Sequence, residues 1–158
     1  MTGDYSIREA TTTDVEIIVR HRREMFFDMG HRDAAMLDEL VRSFRPWLTE
    51  KMSKEEYRAW LAVAQDGSIA AGAGVWLMNW PPGLRTSEPW RGNILNVYTE
   101  HEHRRRGLAR KLVATATDWC GTRGIHVVIL HSSDEGRPLY ESMGFQPTNE
   151  MRVFLTGH

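Results

Sequence analysis

Residues 93–120, NILNVYTEHEHRRRGLARKLVATATDWC, decide the architecture of this chain. The apolar run over 94–99 predicts a strand, residues 100–106 a polar turn, and Gly107 the opening of a helix. Leu108, Ala109, Leu112, Val113, Ala116, Trp119 and Cys120 recur at the three-and-four spacing of a buried stripe. Arg104, Arg105 and Arg106 stand immediately before the glycine. The first turn of a helix presents unpaired backbone N–H groups and the positive end of the helix dipole. A glycine there, lacking a Cβ, lets an anion approach that backbone closely. Strand, glycine turn, helix and basic residues thus make a candidate phosphate cradle. The same spacing also fits a basic turn leading into a surface helix, because a short glycine turn is a weak signal alone.

The 158 residues suit one domain with one sizeable core. A formal charge of −1 gives no general attraction to nucleic acid or membrane. The basic run over 104–111 has aliphatic rather than aromatic neighbours, unlike a surface that stacks single-stranded bases. A lone cysteine, Cys120, excludes an internal disulfide and a multi-cysteine zinc site, and its place on the apolar stripe suggests a packed core thiol. His101-Glu102-His103 lacks the spacing of a zinc-protease motif, and neither a nucleophile elbow nor a Walker A sequence is present, so no metal is expected. No stretch is apolar enough to span a bilayer and the N-terminus lacks a signal-peptide core, so a cytoplasmic protein is expected.

In chain order, residues 5–10 alternate and predict a first strand. Thr13 and Glu16 fit a capping box for a helix reaching about Met29, with Val15, Ile18, Val19, Met25, Phe26 and Met29 buried and Gly30 as its stop. Residues 33–44 predict a second helix with Met36, Leu37, Leu40, Val41 and Phe44 on one side. Pro46 breaks it, and Ser53 with Glu56 marks a new helix start. Strands over 60–64 and 68–79 flank a hairpin turn at Asp66-Gly67. Gly72-Ala73-Gly74 sits inside the second of them and suggests a bulge or close backbone packing. A loop bounded by Trp80 and Trp90 leads to the central unit. After the long helix, residues 125–130 predict a strand buried on both faces, completing a right-handed parallel unit. Ser133 or Asp134 caps a short helix over 138–143, Gly144 ends it, and residues 150–155 predict a closing strand.

Three segments carry a family resemblance. Arg104-Arg105-Arg106-Gly107-Leu108-Ala109 matches the Arg/Gln-x-x-Gly-x-Gly/Ala signature of the GNAT superfamily of acyl-CoA-dependent N-acyltransferases. Asn96-Val97-Tyr98-Thr99 resembles the acyl-CoA-binding strand of that family. Leu139-Tyr140-Glu141-Ser142-Met143-Gly144-Phe145 resembles its Leu-Tyr-Glu-x-x-Gly-Phe segment. The resemblance implies an α/β (α+β) GNAT fold: a central mixed, mostly antiparallel sheet flanked by helices, with a parallel strand–helix–strand core over 94–130, all in a single domain spanning 1–158.

The resemblance also implies roles. Backbone amides of Arg105, Arg106, Gly107, Leu108 and Ala109 would bind the pyrophosphate of CoA, with Arg104 and its neighbours supplying charge. Main-chain groups of Val97 and Thr99 would pair with the pantetheine arm, and Val97 or a neighbour would polarise the thioester oxygen. Ser133 stands where relatives often carry a cofactor-contacting asparagine. Tyr140 would protonate the leaving thiolate. The general base is open: many relatives carry a glutamate where this chain has Asn93, leaving Glu100, His101, His131 or a water chain. The implied activity is acetyl transfer from acetyl-CoA to a primary amine, small-molecule or peptide, by direct attack in a ternary complex. The alternative is a non-catalytic acyl-CoA-binding sensor module, which the missing strand glutamate favours and Tyr140 disfavours. No nucleic-acid or membrane partner is expected, and relatives often form homodimers.

Overall fold

A computed structural model of the chain describes residues 4–156. Five strands form one sheet in the order β1 (Tyr5–Glu9), β2 (Tyr57–Ala64), β3 (Ile69–Asn79), β4 (Trp90–Thr99) and β5 (Val128–Leu130). Neighbours pair antiparallel except β4 and β5, which run parallel over Gly92–Val128 to Ile94–Leu130. The helices are α1 (Val15–Asp28), α2 (Ala34–Ser53), α3 (Leu108–Thr122) and α4 (Arg137–Ser142). The expected mixed, mostly antiparallel sheet with a parallel strand–helix–strand core is therefore present.

The two faces of the sheet bury different clusters. Ile94 of β4 packs with Leu108, Leu112, Val113, Ala116 and Cys120 of α3. Burial pushes the Cys120 thiol up to about 11, as befits a packed thiol. On the other face Val15, Ile18 and Val19 of α1 meet Phe44 and Leu48 of α2 over Tyr57, Ala59 and Leu61 of β2. Gly74 lies where a Cβ would collide with Tyr57 Oη at 2.0 Å, and the β3–β4 register slips between Gly72 and Gly74. The glycine pair thus marks both a bulge and close packing.

The helix starts and stops depart from expectation in instructive ways. The capping box belongs to Thr11 and Asp14, two residues before the expected Thr13 and Glu16. Thr11 donates its N–H to Asp14 (2.8 Å), and Arg8 grips the same carboxylate with two bonds of 2.9 Å, which fixes the earlier turn. Glu16 instead accepts from Arg45 of α2. In α1 the deeply buried positions are Val15, Ile18, Val19 and His21, while Met25 and Phe26 are half-buried and Met29 is exposed.

Helix α2 does not break at Pro46. It runs unbroken from its Asp33 cap to Ser53, so Ser53 ends a helix rather than starting one. A proline inside a helix costs about 3 kcal/mol. Phe44 and Leu48, buried on either side of it, each return roughly 1.5–3 kcal/mol, and their packing carries the helix across the missing bond. Met36 is exposed because Leu37, one residue round the helix, takes the buried position.

The remaining corrections concern strands. β2 begins at Tyr57, and β4 at Trp90, where Trp80 donates to the Pro89 carbonyl (2.8 Å) and closes the β3–β4 hairpin. β5 is three residues long and half-buried, not sandwiched between two layers, because it is the sheet's edge. Residues 150–155 form no strand. A strand needs a paired neighbour, and this segment joins none in the sheet, leaving Met151 and Leu155 about nine-tenths exposed.

Candidate active site

Strand β4 carries the site because it has two different edges. The β5 ladder ends at Ile94–Leu130, whereas β3 follows β4 as far as Ala71–Thr99. Beyond Ile94 the sheet therefore forks. Asn96 sits in the left-handed region at φ 59°, and two residues, Asn96 and Val97, oppose Ala73 alone. This bulge turns the strand at the mouth of the fork. Glu100 donates its N–H to Ala70 of β3 (2.8 Å). Alternation along a strand then turns the main-chain groups of Val97 and Thr99 the other way, into the fork.

The turn after β4 ends in the glycine cradle. Arg105 (φ 64°) and Gly107 (φ 77°) are both left-handed, a geometry that aims successive N–H groups to one side. Gly107 is the N-cap of α3 and offers no side chain to its free amides. Arg105 and Arg106 are exposed, with no carboxylate partner among the described residues, so their charge is available to a ligand. Arg104 is different. Its Nε donates to the Thr99 carbonyl and its Nη2 to Asp28 at the end of α1, both at 2.8 Å, and its guanidinium lies 5.4 Å from the Tyr98 ring centre. It straps the cradle to α1 rather than standing free.

Tyr140 stands on α4, held by the Gly136 turn. Ser133 Oγ accepts from the Gly136 N–H (3.1 Å), which commits one lone pair of Ser133 to local structure. Gly144 (φ 96°) ends the helix. Arg110 of α3 donates to Ser142 (2.7 Å), tying α4 beside the cradle helix. Tyr140 and Val97 pack on the same core cluster. Burial raises the Tyr140 pKa above its usual value of 10.0, so the phenol stays protonated at neutral pH. Its hydroxyl makes no hydrogen bond among the described residues.

The basic groups open in the sequence are all engaged. Glu100 accepts from Arg20 and lies 3.4 Å from His21. His101 pairs with Asp28 (3.2 Å), and His131 with Glu150 (3.1 Å). Asn93 is buried, and its Oδ1 has no hydrogen-bond partner among the described residues. No group of three or more metal-ligating side chains occurs among the described residues.

Several residues of this region are silent in the sequence. Arg22 donates to Asn96 Oδ1 (2.8 Å), and Asn96 Nδ2 donates to Tyr57 Oη (2.8 Å), a buried relay beneath the bulge. Burial pushes Tyr57 up to about 12. Arg22 lies seven positions after Val15, in line with the buried stripe of α1, and that mismatch of charge with an apolar face was the available signal.

A forked sheet edge beside a helix N-terminus, with a left-handed glycine and arginines unpaired among the described residues, has the geometry to suit a long phosphorylated ligand in extended form. The acetyltransferase (GNAT) family model matches residues 18–145, and the chain belongs to that family. It is an acyl-CoA-dependent acetyltransferase. A GCN5-related N-acetyltransferase from Ralstonia eutropha JMP134 is 35% identical, with a TM-score of 0.90 over 97% of this chain and 99% of that one. A predicted acetyltransferase from Clostridium acetobutylicum, solved with acetyl-CoA, is 28% identical, with a TM-score of 0.83 over 95% of both chains. Glucosamine-6-phosphate N-acetyltransferase from Arabidopsis thaliana shares the fold at 21% identity, with a TM-score of 0.66 over 96% of this chain and 99% of that one. No curated protein matches the chain.

Proposed function

We propose that the protein moves the acetyl group of acetyl-CoA onto a primary amine by direct attack in a ternary complex. The fork between β4 and β5, leading to the left-handed cradle at Gly107, is the observation that carries this reading. It fits the cosubstrate part by part. Amides of Arg105, Arg106, Gly107, Leu108 and Ala109 receive the pyrophosphate, and the exposed Arg105 and Arg106 side chains neutralise it. Main-chain groups of Val97 and Thr99 pair with the amide-bearing arm as an added strand would. The Ser133 hydroxyl keeps its proton to donate at the rim. Arg104 contributes by holding the loop in place.

Acetyl-CoA supplies a thioester carbon that a neutral amine attacks. A simple amine of pKa about 10.4 is free in only about one molecule in two thousand at pH 7, so a proton acceptor is needed. With Glu100, His101 and His131 all paired, a water chain takes that proton. The Val97 amide donates to the carbonyl oxygen as it gains charge. As the new C–N bond forms and the C–S bond breaks, the Tyr140 hydroxyl gives its proton to the departing sulfur. Its phenolate is refilled from the amine's proton through water.

A solved structure that shares the fold is named as a glucosamine-6-phosphate N-acetyltransferase, and a small-molecule amine acceptor agrees with that name. Exposed apolar residues over 151–155 favour a homodimer in which each copy covers the other's tail, and a monomer in sedimentation velocity would remove that element. The central test is CoA release from acetyl-CoA, followed with a thiol reagent over a panel of amines. Amine-dependent release is expected. Tight acetyl-CoA binding without release on any amine would defeat the transferase reading.

A further inference from the structure

Four buried side-chain polar atoms lack a hydrogen-bond partner among the described residues: His21 Nε2, Arg22 Nε, Arg91 Nε and Asn93 Oδ1. His21 at least lies within ion-pair range of Glu100. The other three belong to one face of β4 or to the helix packed on it. Gly92 and Ile94 point toward α3, so alternation puts Arg91, Asn93 and Leu95 on the opposite face. Leu95 packs there with the α1–α2 cluster, and Trp76, in register with Asn93, meets Trp47 of α2. Arg22 reaches the same face at Asn96.

Buried orphan polar atoms are rare in folded proteins, and these three, spread along one face of β4, leave that face only partly satisfied among the described residues. The charges agree. Arg8, Arg20, Arg45, Arg58 and Arg104 each pair with a carboxylate. Arg22 and Arg91 have no carboxylate partner among the described residues: Arg22 lies against the Phe26 and Phe44 rings, and Arg91 over Trp80 at 4.2 Å. Two uncompensated guanidiniums repel a polycationic amine and attract an anion. Asn93 Oδ1 is a bare acceptor that suits an N–H donor. It sits one residue before the point where the fork opens, next to where the thioester would lie. Arg91 is two residues further back, about 7 Å along the strand.

We infer that the acceptor is an amine bearing an anionic group, a carboxylate or phosphate a few atoms from its nitrogen. Arg91 receives the anion and Asn93 Oδ1 accepts an amine N–H, aiming the nitrogen at the fork. Small side-chain rotations of the kind common on binding bring these atoms to the ligand. The inference rests on the transferase reading and supplies its substrate class.

The experiment pairs charged amines with uncharged partners: glycine against glycinamide, and phosphoethanolamine against ethanolamine, with spermidine as the polycation. CoA release is measured for wild type, Arg91→Gln and Asn93→Leu. Binding to the CoA-saturated protein is measured in parallel by calorimetry. Wild type should favour an anionic member at least about tenfold in kcat/KM, and Arg91→Gln should erase that preference through KM while leaving the KM for acetyl-CoA unchanged. Which pair shows the preference separates carboxylate from phosphate. Equal use of charged and uncharged partners, a preference for spermidine, or selectivity surviving in Arg91→Gln would overturn the inference alone. Should no amine release CoA, calorimetry decides. Anionic binding abolished by Arg91→Gln upholds the subsite while the transferase reading falls, and absence of anionic binding overturns the subsite as well.

Discussion

Tyr140 combines two properties a proton donor needs, a place on the helix tied beside the cradle and a hydroxyl without an internal partner among the described residues, and burial keeps that hydroxyl protonated. Tyr57 is also a buried phenol, but its Oη is occupied by Asn96 and it lies under the bulge, so it serves structure. Replacing Tyr140 with Phe should lower turnover about a hundredfold, the lower range for losing a general acid. Acetyl-CoA affinity should stay within about twofold, because the ring packing persists and only the proton is lost. Stopped-flow turnover beside equilibrium binding checks this, and an unchanged rate would remove Tyr140 from the chemistry. Tyr140 was singled out in the sequence as the proposed donor because its Leu-Tyr-Glu segment is contiguous. Arg22, Asp28 and Arg91 were not, since their partners lie on other elements and only folding brings them together.

At the scale of elements, the decisive unit is strand, left-handed turn and helix. Glycine is favoured at 107 because φ 77° is strained for most side chains, and because it puts no side chain of its own at the free amides of α3. Gly107→Glu should therefore abolish measurable acetyl-CoA binding by both bulk and charge. Calorimetry tests it, with circular dichroism confirming that the variant is folded, and unchanged affinity would refute the pyrophosphate assignment. The helix and strand order was readable because local pattern dictated it: a stripe on α3, an alternation in β1, a turn at Asp66-Gly67. The errors arose where tertiary packing outweighed local signal. Pro46 read as a break until Phe44 and Leu48 were seen to bury around it. The tail over 150–155 read as a strand because side-chain preference says nothing about whether an edge is there to meet it.

For the molecule as a whole, His21 links stability to pH. Burial, opposed by Glu100, lowers its pKa from 6.5 to about 4, with Arg20 adding to the lowering and the Tyr98 ring tilted against it at 5.2 Å. The native state thus holds His21 neutral, while the unfolded chain binds its proton below about pH 6.5. Its contribution is fully present above pH 6.5 and is lost as pH falls toward 4, up to about 3 kcal/mol. Urea unfolding at pH 7 and pH 5 should show this loss, and His21→Met should show less of it. An equal loss in the variant would assign the acid sensitivity to other groups. The Arg22–Asn96–Tyr57 relay beneath the bulge has a consequence on a longer timescale. Each member satisfies the next, so changing one strands a buried neighbour at about 1–3 kcal/mol, whereas changing two together can be far milder. Descendants of this chain should accordingly keep the trio or exchange it in concert. Their history at these three sites would be one of paired replacements rather than independent drift.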